Sequence, residues 1–146
     1  MGEWLRFGVF TSFGLFIGIV DFRKQKIPNL LLLVLLSLLI IVDFLVEPRI
    51  IPFRLLTGIV AYGLFLLIYW IKGGLGYGDV KYTGVIGYFL GPEQIINGLL
   101  YAVLFGFIYW FIGNLIFKWG KEHRFPFGPW LSCGAIAAGL LHRVML

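Results

Sequence analysis

Long apolar runs alternate with short polar clusters along the chain. Six runs stand out, at about 4–20, 29–46, 55–71, 80–90, 95–117 and 127–144. Five of them approach the roughly 20 residues with which a helix crosses a hydrocarbon core of about 30 Å. The run at 80–90 is the exception, because at 1.5 Å per residue it covers only about 16 Å. It crosses with its ends sunk below the membrane surface, or it turns back. The pattern predicts an all-α polytopic membrane protein with about six transmembrane helices, forming a single domain over 1–146. The polar clusters between the runs are DFRKQKIPN, EPRIIPFR, KGGLGYGDVKY and KWGKEHR, with Gly91-Pro92 closing the short fourth run. None is long enough to hold a soluble domain, and no tandem repeat or low-complexity tract interrupts them.

Composition agrees with this pattern. Of the 146 residues, 60% are hydrophobic and only 13% are charged, against about 25% charged in soluble domains. So little charge cannot cover a water-exposed surface. The net charge of +5 belongs to the membrane topology. No basic face with interleaved aromatics lies outside the apolar runs, so nucleic acid is not an expected partner. The one cysteine, Cys133, excludes an internal disulfide and a Cys-x-x-Cys metal site, and it reads as a small buried residue. The first run is followed by three cations and no small-residue cleavage pattern, so it does not read as a cleavable signal.

Cation placement orients the bundle. If all six runs cross, the clusters after the first, third and fifth share one side. They hold Arg23, Lys24, Lys26, Lys72, Lys81, Lys118, Lys121 and Arg124, eight of the twelve cations. Arg6, Arg49, Arg54 and Arg143 fall on the other side. A re-entrant fourth run would give an even division. Positive charge collects on the cytoplasmic side, so six crossings are expected, with both termini external.

Two carboxylates then become neighbours in depth. Asp21 closes the first run, and Asp79 follows the glycine cluster in the N-cap position of the fourth helix. In this topology both lie on the cytoplasmic side. Ionisable groups near a membrane are read as functional, each with a partner, and here each is the other's. Two carboxyls sharing a proton can hydrolyse a peptide bond, one activating water and the other engaging the carbonyl. Gly76 and Gly78, lacking side chains, would let the backbone approach a substrate strand closely and would themselves take positive φ where needed. Neither His123, in a charged loop, nor His142, near the opposite end of the last helix, supports a nucleophile–histidine site. No metal cluster or cofactor site is expected. Asp43 and Glu47 fall on the external side, where Asp43 is expected to pair with Arg49. Glu93 is expected to cap the fifth helix. Glu122 reads as solvated, or as a contact for a cationic substrate. The competing reading is a small transporter or channel with the two aspartates as a proton or cation site.

At this point three ordered motifs carry a resemblance. GLGYGDVK resembles the GxGD motif of intramembrane aspartyl proteases. With Asp21 followed by RKQKIPN, it resembles the type IV prepilin peptidases. FPFGPWL at 125–131 is similar to that family's Pro-Phe-Gly-Pro signature at the start of the last helix. The resemblance implies Asp21 and Asp79 as the catalytic pair of an aspartic endopeptidase. Its substrates would be prepilins or pilin-like proteins with a basic leader and an apolar helix. Cleavage would occur at the cytoplasmic face of a bacterial inner membrane, among membrane lipids.

Long family members add an amino-terminal region with paired Cys-x-x-Cys zinc ligands, associated with methylation. With one cysteine and no sequence before its first run, this chain is expected to cleave without methylating. Archaeal preflagellin peptidases share the aspartate logic and remain the alternative within this type. Presenilin-type proteases also share GxGD, but the Pro-Ala-Leu motif is missing. Around the pair, Arg23, Lys26, Lys81, Pro28, Asn29, Pro126, Gly128 and Pro129 are expected to shape the site or bind substrate. Pro28 and Asn29 would open the second helix, with Asn29 capping it or bonding nearby backbone. Lys81 would tune the site or anchor the cytoplasmic side. Pro126, Gly128 and Pro129 would shape the start of the last helix and one wall of the site. From helix ends alone, Asp79 would be the more ionised partner and Asp21 the more readily protonated one.

Overall fold

Among the described residues there are six helical runs, as the hydrophobic pattern predicts, but two of them are continuous. A computed structural model describes residues 1–24, 26–119 and 126–145. It contains helices α1 (Gly2–Lys24), α2 (Asn29–Val46), α3 (Ile51–Lys72), α4 (Tyr77–Ile112) and α5 (Gly128–Met145). A short 3-10 turn, Pro48–Ile50, precedes α3, and a π turn, Gly113–Phe117, follows α4. No strand occurs among the described residues. Four elements are long and apolar enough to cross a membrane: Gly2–Lys24, Asn29–Val46, Pro48–Lys72 and Tyr77–Phe117. The protein is an all-α membrane protein. Lys121, Glu122, His123 and Arg124, with the expectations attached to them, lie outside the described residues.

Several boundaries differ from expectation. Helix α1 continues past Asp21 to Lys24, and α3 begins at Ile51 rather than near 55. The proline at position 52 sits in the first turn of α3, where no intrahelical N–H bond is lost. The expected fourth and fifth helices are two limbs of α4, joined at Gly91 with φ 72° and ψ 179°. Positive φ favours glycine there, and Pro92 next to it cannot continue the hydrogen-bond ladder. The limbs run in opposite directions. The first leaves the Asn29 end, where Lys81 bonds Asn29, and reaches Arg54 at the start of α3. The second returns until Tyr109 packs on Trp130 in the first turn of α5, ring centroids 4.7 Å apart. Glu93 is exposed at the start of this returning limb.

The short limb explains its own length. Residues 80 and 82–83 and 85–91 are buried, so its sides meet protein rather than lipid. A helix enclosed in this way need not match the bilayer thickness. Gly58 and Ala61 of α3 receive Gly84 and Gly87; a Cβ on Gly87 would lie 3.0 Å from Ala61 Cβ and from Gly58 Cα. The returning limb presents Gly98, Ala102 and Gly106 as its buried stripe. A Cβ on Gly134 of α5 would fall 2.8 Å from Ala102 Cα, so the two backbones touch. Close approach through small residues is how membrane helices gain packing energy without a hydrophobic driving force between them.

Polar groups at the far end are satisfied inside the bundle. Arg6 donates to Asp43 at 3.0 Å, and both side chains are almost fully buried. The Tyr88 hydroxyl donates to the other Asp43 oxygen at 2.8 Å. Asp43 is therefore the partner of Arg6 in the core, not of Arg49 at the surface. An arginine on the buried stripe of an apolar helix needs an internal anion, and Asp43 is the one α2 offers. Arg54 donates to the carbonyls of Tyr88 and Phe89. These are the carbonyls that the break at Gly91–Pro92 deprives of helical donors. Arg143 donates to the Gly139 and Glu3 carbonyls, tying α5 to the start of α1.

Candidate functional site

The buried stripe of α1 contains Arg6, Phe10, Gly14, Ile17, Gly18 and Asp21. These positions recur at helical spacing, so Asp21 points where the core residues point and is 4% exposed. It meets the start of α5. The backbone N–H of Gly128 donates to Asp21 Oδ2 at 2.9 Å. That N–H is one of the first four in α5, which have no intrahelical acceptor. A carboxylate is the natural partner for such a group. A Cβ at position 128 would lie 2.8 Å from Asp21 Cγ, so only glycine allows this contact. Pro126 is buried beside it. Pro129 lies under α1, with its Cα 3.4 Å from where a Gly18 Cβ would be.

Asp79 sits in the first turn of α4 and is half-buried, with Oδ1 enclosed. It is not the N-cap. Helix α4 starts at Tyr77, and Gly76 occupies the cap position with φ −70° and ψ 141°. The carbonyl of Gly76 accepts from the N–H of Asp79 at 3.1 Å and of Val80 at 3.3 Å. The Asp79 side chain folds back over the cap: a Cβ on Gly76 would lie 3.1 Å from Asp79 Oδ2. A Cβ on Gly78 would meet Ile27 Cβ at 3.3 Å, so the glycine lets the Ile-Pro-Asn segment close on α4. Positive φ falls elsewhere in this cluster, at Gly73 and Gly74. There it turns the chain out of α3.

The three motif stretches thus meet at one end of the bundle. Asp21 touches the start of α5, and Ile27 and Asn29 touch the start of α4. Lys81 Nζ donates to Asn29 Oδ1 at 3.1 Å and lies 4.5 Å from the Tyr77 ring centroid. Asn29 therefore bonds a side chain on α4 and does not cap α2. Pro28 takes the cap position of α2, and its carbonyl accepts from the Leu32 N–H. Arg23, Lys26 and Pro28 are exposed around this end. The helix-end distinction between the aspartates does not survive the fold. Asp21 follows the helical course of α1, but its carboxylate touches the N-terminal end of α5, while Asp79 occupies the N-terminal turn of α4. Both carboxylates meet positive helix ends.

Two residues at this end escaped sequence reasoning. Tyr82 and Ser132 are buried, and their hydroxyl oxygens are 2.6 Å apart. Neither carries a motif. Their signal was spacing: Tyr82 lies one helical turn beyond Asp79, and Ser132 one turn beyond Gly128. Cys133, next to Ser132, is half-buried rather than buried. Among the described residues no group of three or more histidine, cysteine or acidic side chains could hold a metal ion.

Fold and site define a class: an all-α membrane protein with six helical runs among the described residues and an aspartate on each of two helices, α1 and α4, at the same end of the bundle. The chain belongs to the type IV leader peptidase family, whose sequence model matches residues 8–111. It is 32% identical over 142 residues to leader peptidase HopD of Salmonella typhimurium, covering 89% of this chain and 88% of that protein. It is 31% identical over 134 residues to the prepilin leader peptidase/N-methyltransferase of Bacillus subtilis. The protein of that name from Escherichia coli is 29% identical over 134 residues. The chain spans 54% and 59% of the length of these two relatives. No solved structure matches it.

Proposed function

We propose that the protein is a membrane aspartic endopeptidase that removes basic leaders from prepilins or pilin-like proteins. Asp21 and Asp79 are its catalytic pair. One observation carries the reading: Asp21, Ile27 and Asn29 of the first motif, Gly78 and Lys81 of the second and Gly128 of the third, far apart in sequence, come together at one end of the bundle. Membership of the family supports the peptidase activity, and the names of its relatives point to prepilins as substrates.

In this mechanism the two carboxyls share one proton. The ionised carboxylate draws a proton from a water molecule, and the protonated carboxyl donates to the scissile carbonyl. The protonation belongs to the pair, not to one member. The Gly128 N–H holds Asp21 in place, and the Gly76 turn holds Asp79. The site faces the cytoplasm of a bacterial inner membrane. Arg23, Lys24, Lys26, Lys72 and Lys81 belong to the aspartate end, as positive charge on the untranslocated side requires. Arg6, Arg54 and Arg143 at the other end are each held by internal bonds.

The test is cleavage by the purified protein in proteoliposomes. A prepilin with its basic leader should be cut once, between the leader and the apolar helix, as read by product mass. Ion flux without cleavage would replace this reading with transport.

A further inference from the structure

We propose that Tyr82 and Ser132 are a positioning pair that fixes Asp79 relative to Asp21. The inference rests on the aspartate-pair reading and adds to it the device that sets the pair's geometry. The two aspartates reside on different helices, and the carboxylate of Asp21 is held by a third, α5, through Gly128. Catalysis by a shared pair therefore needs α4 and α5 locked to each other near their starts. Tyr82 stands one turn from Asp79 on nearly the same face of α4, and Ser132 stands one turn from Gly128 on nearly the same face of α5. Their hydroxyls are 2.6 Å apart in the buried interior.

Helix α1 closes over this bond. A Cβ on Gly14 would lie 3.3 Å from the Tyr82 hydroxyl, and one on Gly18 would lie 3.7 Å from Ser132 Oγ. Those two glycines occupy the two turns before Asp21. The Tyr82 ring also stacks beside Phe10, centroids 6.4 Å apart. The bond thus joins α4 to α5 directly beneath the α1 turn that carries Asp21. A bond between hydroxyls has directional preference that apolar contact lacks, so it sets rotation and height of α4 as packing alone cannot.

The experiment uses the full-length protein in proteoliposomes with a prepilin substrate. Tyr82→Phe keeps the ring and removes the hydroxyl; Ser132→Ala removes the other partner. Each should lower kcat by about ten- to a hundredfold, the range for misplacing a catalytic group by up to an ångström, with KM unchanged. The double variant should lose no more than the worse single one, because both delete the same bond. Rates are expressed per folded molecule from melting curves. Wild-type kcat in either single variant, losses that multiply in the double, or losses that vanish on normalisation would each overturn the positioning role. Asp21→Asn and Asp79→Asn run alongside. Cleavage surviving in either defeats the aspartate pair, and the positioning role with it. Cleavage abolished in both, with Tyr82→Phe at the wild-type rate, defeats the positioning role alone.

Discussion

Replacing Gly128 by alanine adds one methyl group at the most crowded point of the site. The new Cβ would fall 2.8 Å from Cγ and 3.0 Å from Cβ of Asp21. Carbon atoms settle at about 3.5–4.0 Å, so the aspartate side chain must retreat by about 0.5–1 Å. The 2.9 Å bond from the Gly128 N–H then stretches or breaks. A displacement of this size at a reacting group costs about a hundredfold in rate, or about 2.7 kcal/mol of transition-state stabilisation. The same overlap costs the fold about 1–3 kcal/mol, so rates must be compared per folded molecule. The assay is single-turnover cleavage of a prepilin, with melting of the detergent-solubilised protein measured in parallel. Gly8→Ala is the control, since a Cβ there meets open space, and it should cleave at the wild-type rate. A folded Gly128→Ala protein that cleaves as fast as wild type would refute the account of how α5 holds Asp21.

Asp43→Ala leaves the Arg6 charge buried without its carboxylate, which should cost about 3–5 kcal/mol in a denaturant titration; an unchanged midpoint would remove the core ion pair from the account. Arg54→Ala exposes the problem at the Gly91 break by stripping donors from the Tyr88 and Phe89 carbonyls. Its melting temperature should fall, corresponding to about 1.5–3 kcal/mol, and equal stability would show those carbonyls to be satisfied otherwise. Lys81→Met removes two solvent-accessible contacts, the bond to Asn29 and the ammonium over the Tyr77 ring. Its stability should change by less than about 1 kcal/mol, so a large loss would contradict that placement.

Hydrophobic runs made the membrane class and the six helical runs legible, because each run had to satisfy its own backbone in lipid. Family membership was legible in three short motifs. What the sequence hid was lateral packing. Nothing local says that Asp43 faces inward to Arg6: the two lie on different helices and meet only because α1 and α2 pack with their polar positions aligned. Likewise, Asp21 looked like a residue at the negative end of its own helix. The decisive neighbour was the N-terminus of α5, which no spacing along α1 reveals. Helix α4 starts about one turn earlier than the sequence predicts, since Gly-Tyr-Gly reads as loop by propensity. Contact with Ile27 makes the glycine at position 78 useful inside the helix. Tyr82 and Ser132 passed as ordinary helix residues because a buried hydroxyl pair has no motif.

The central claim is that Asp21 and Asp79 act as one catalytic unit at the end of the bundle they share. The most direct measurement is the cleavage rate of Asp21→Asn, Asp79→Asn and the double variant, each reconstituted in lipid and shown to melt like wild type. Each single change should abolish leader cleavage, and the double should be no worse, since residues acting as a unit fail together. Cleavage persisting in either single variant would contradict the account.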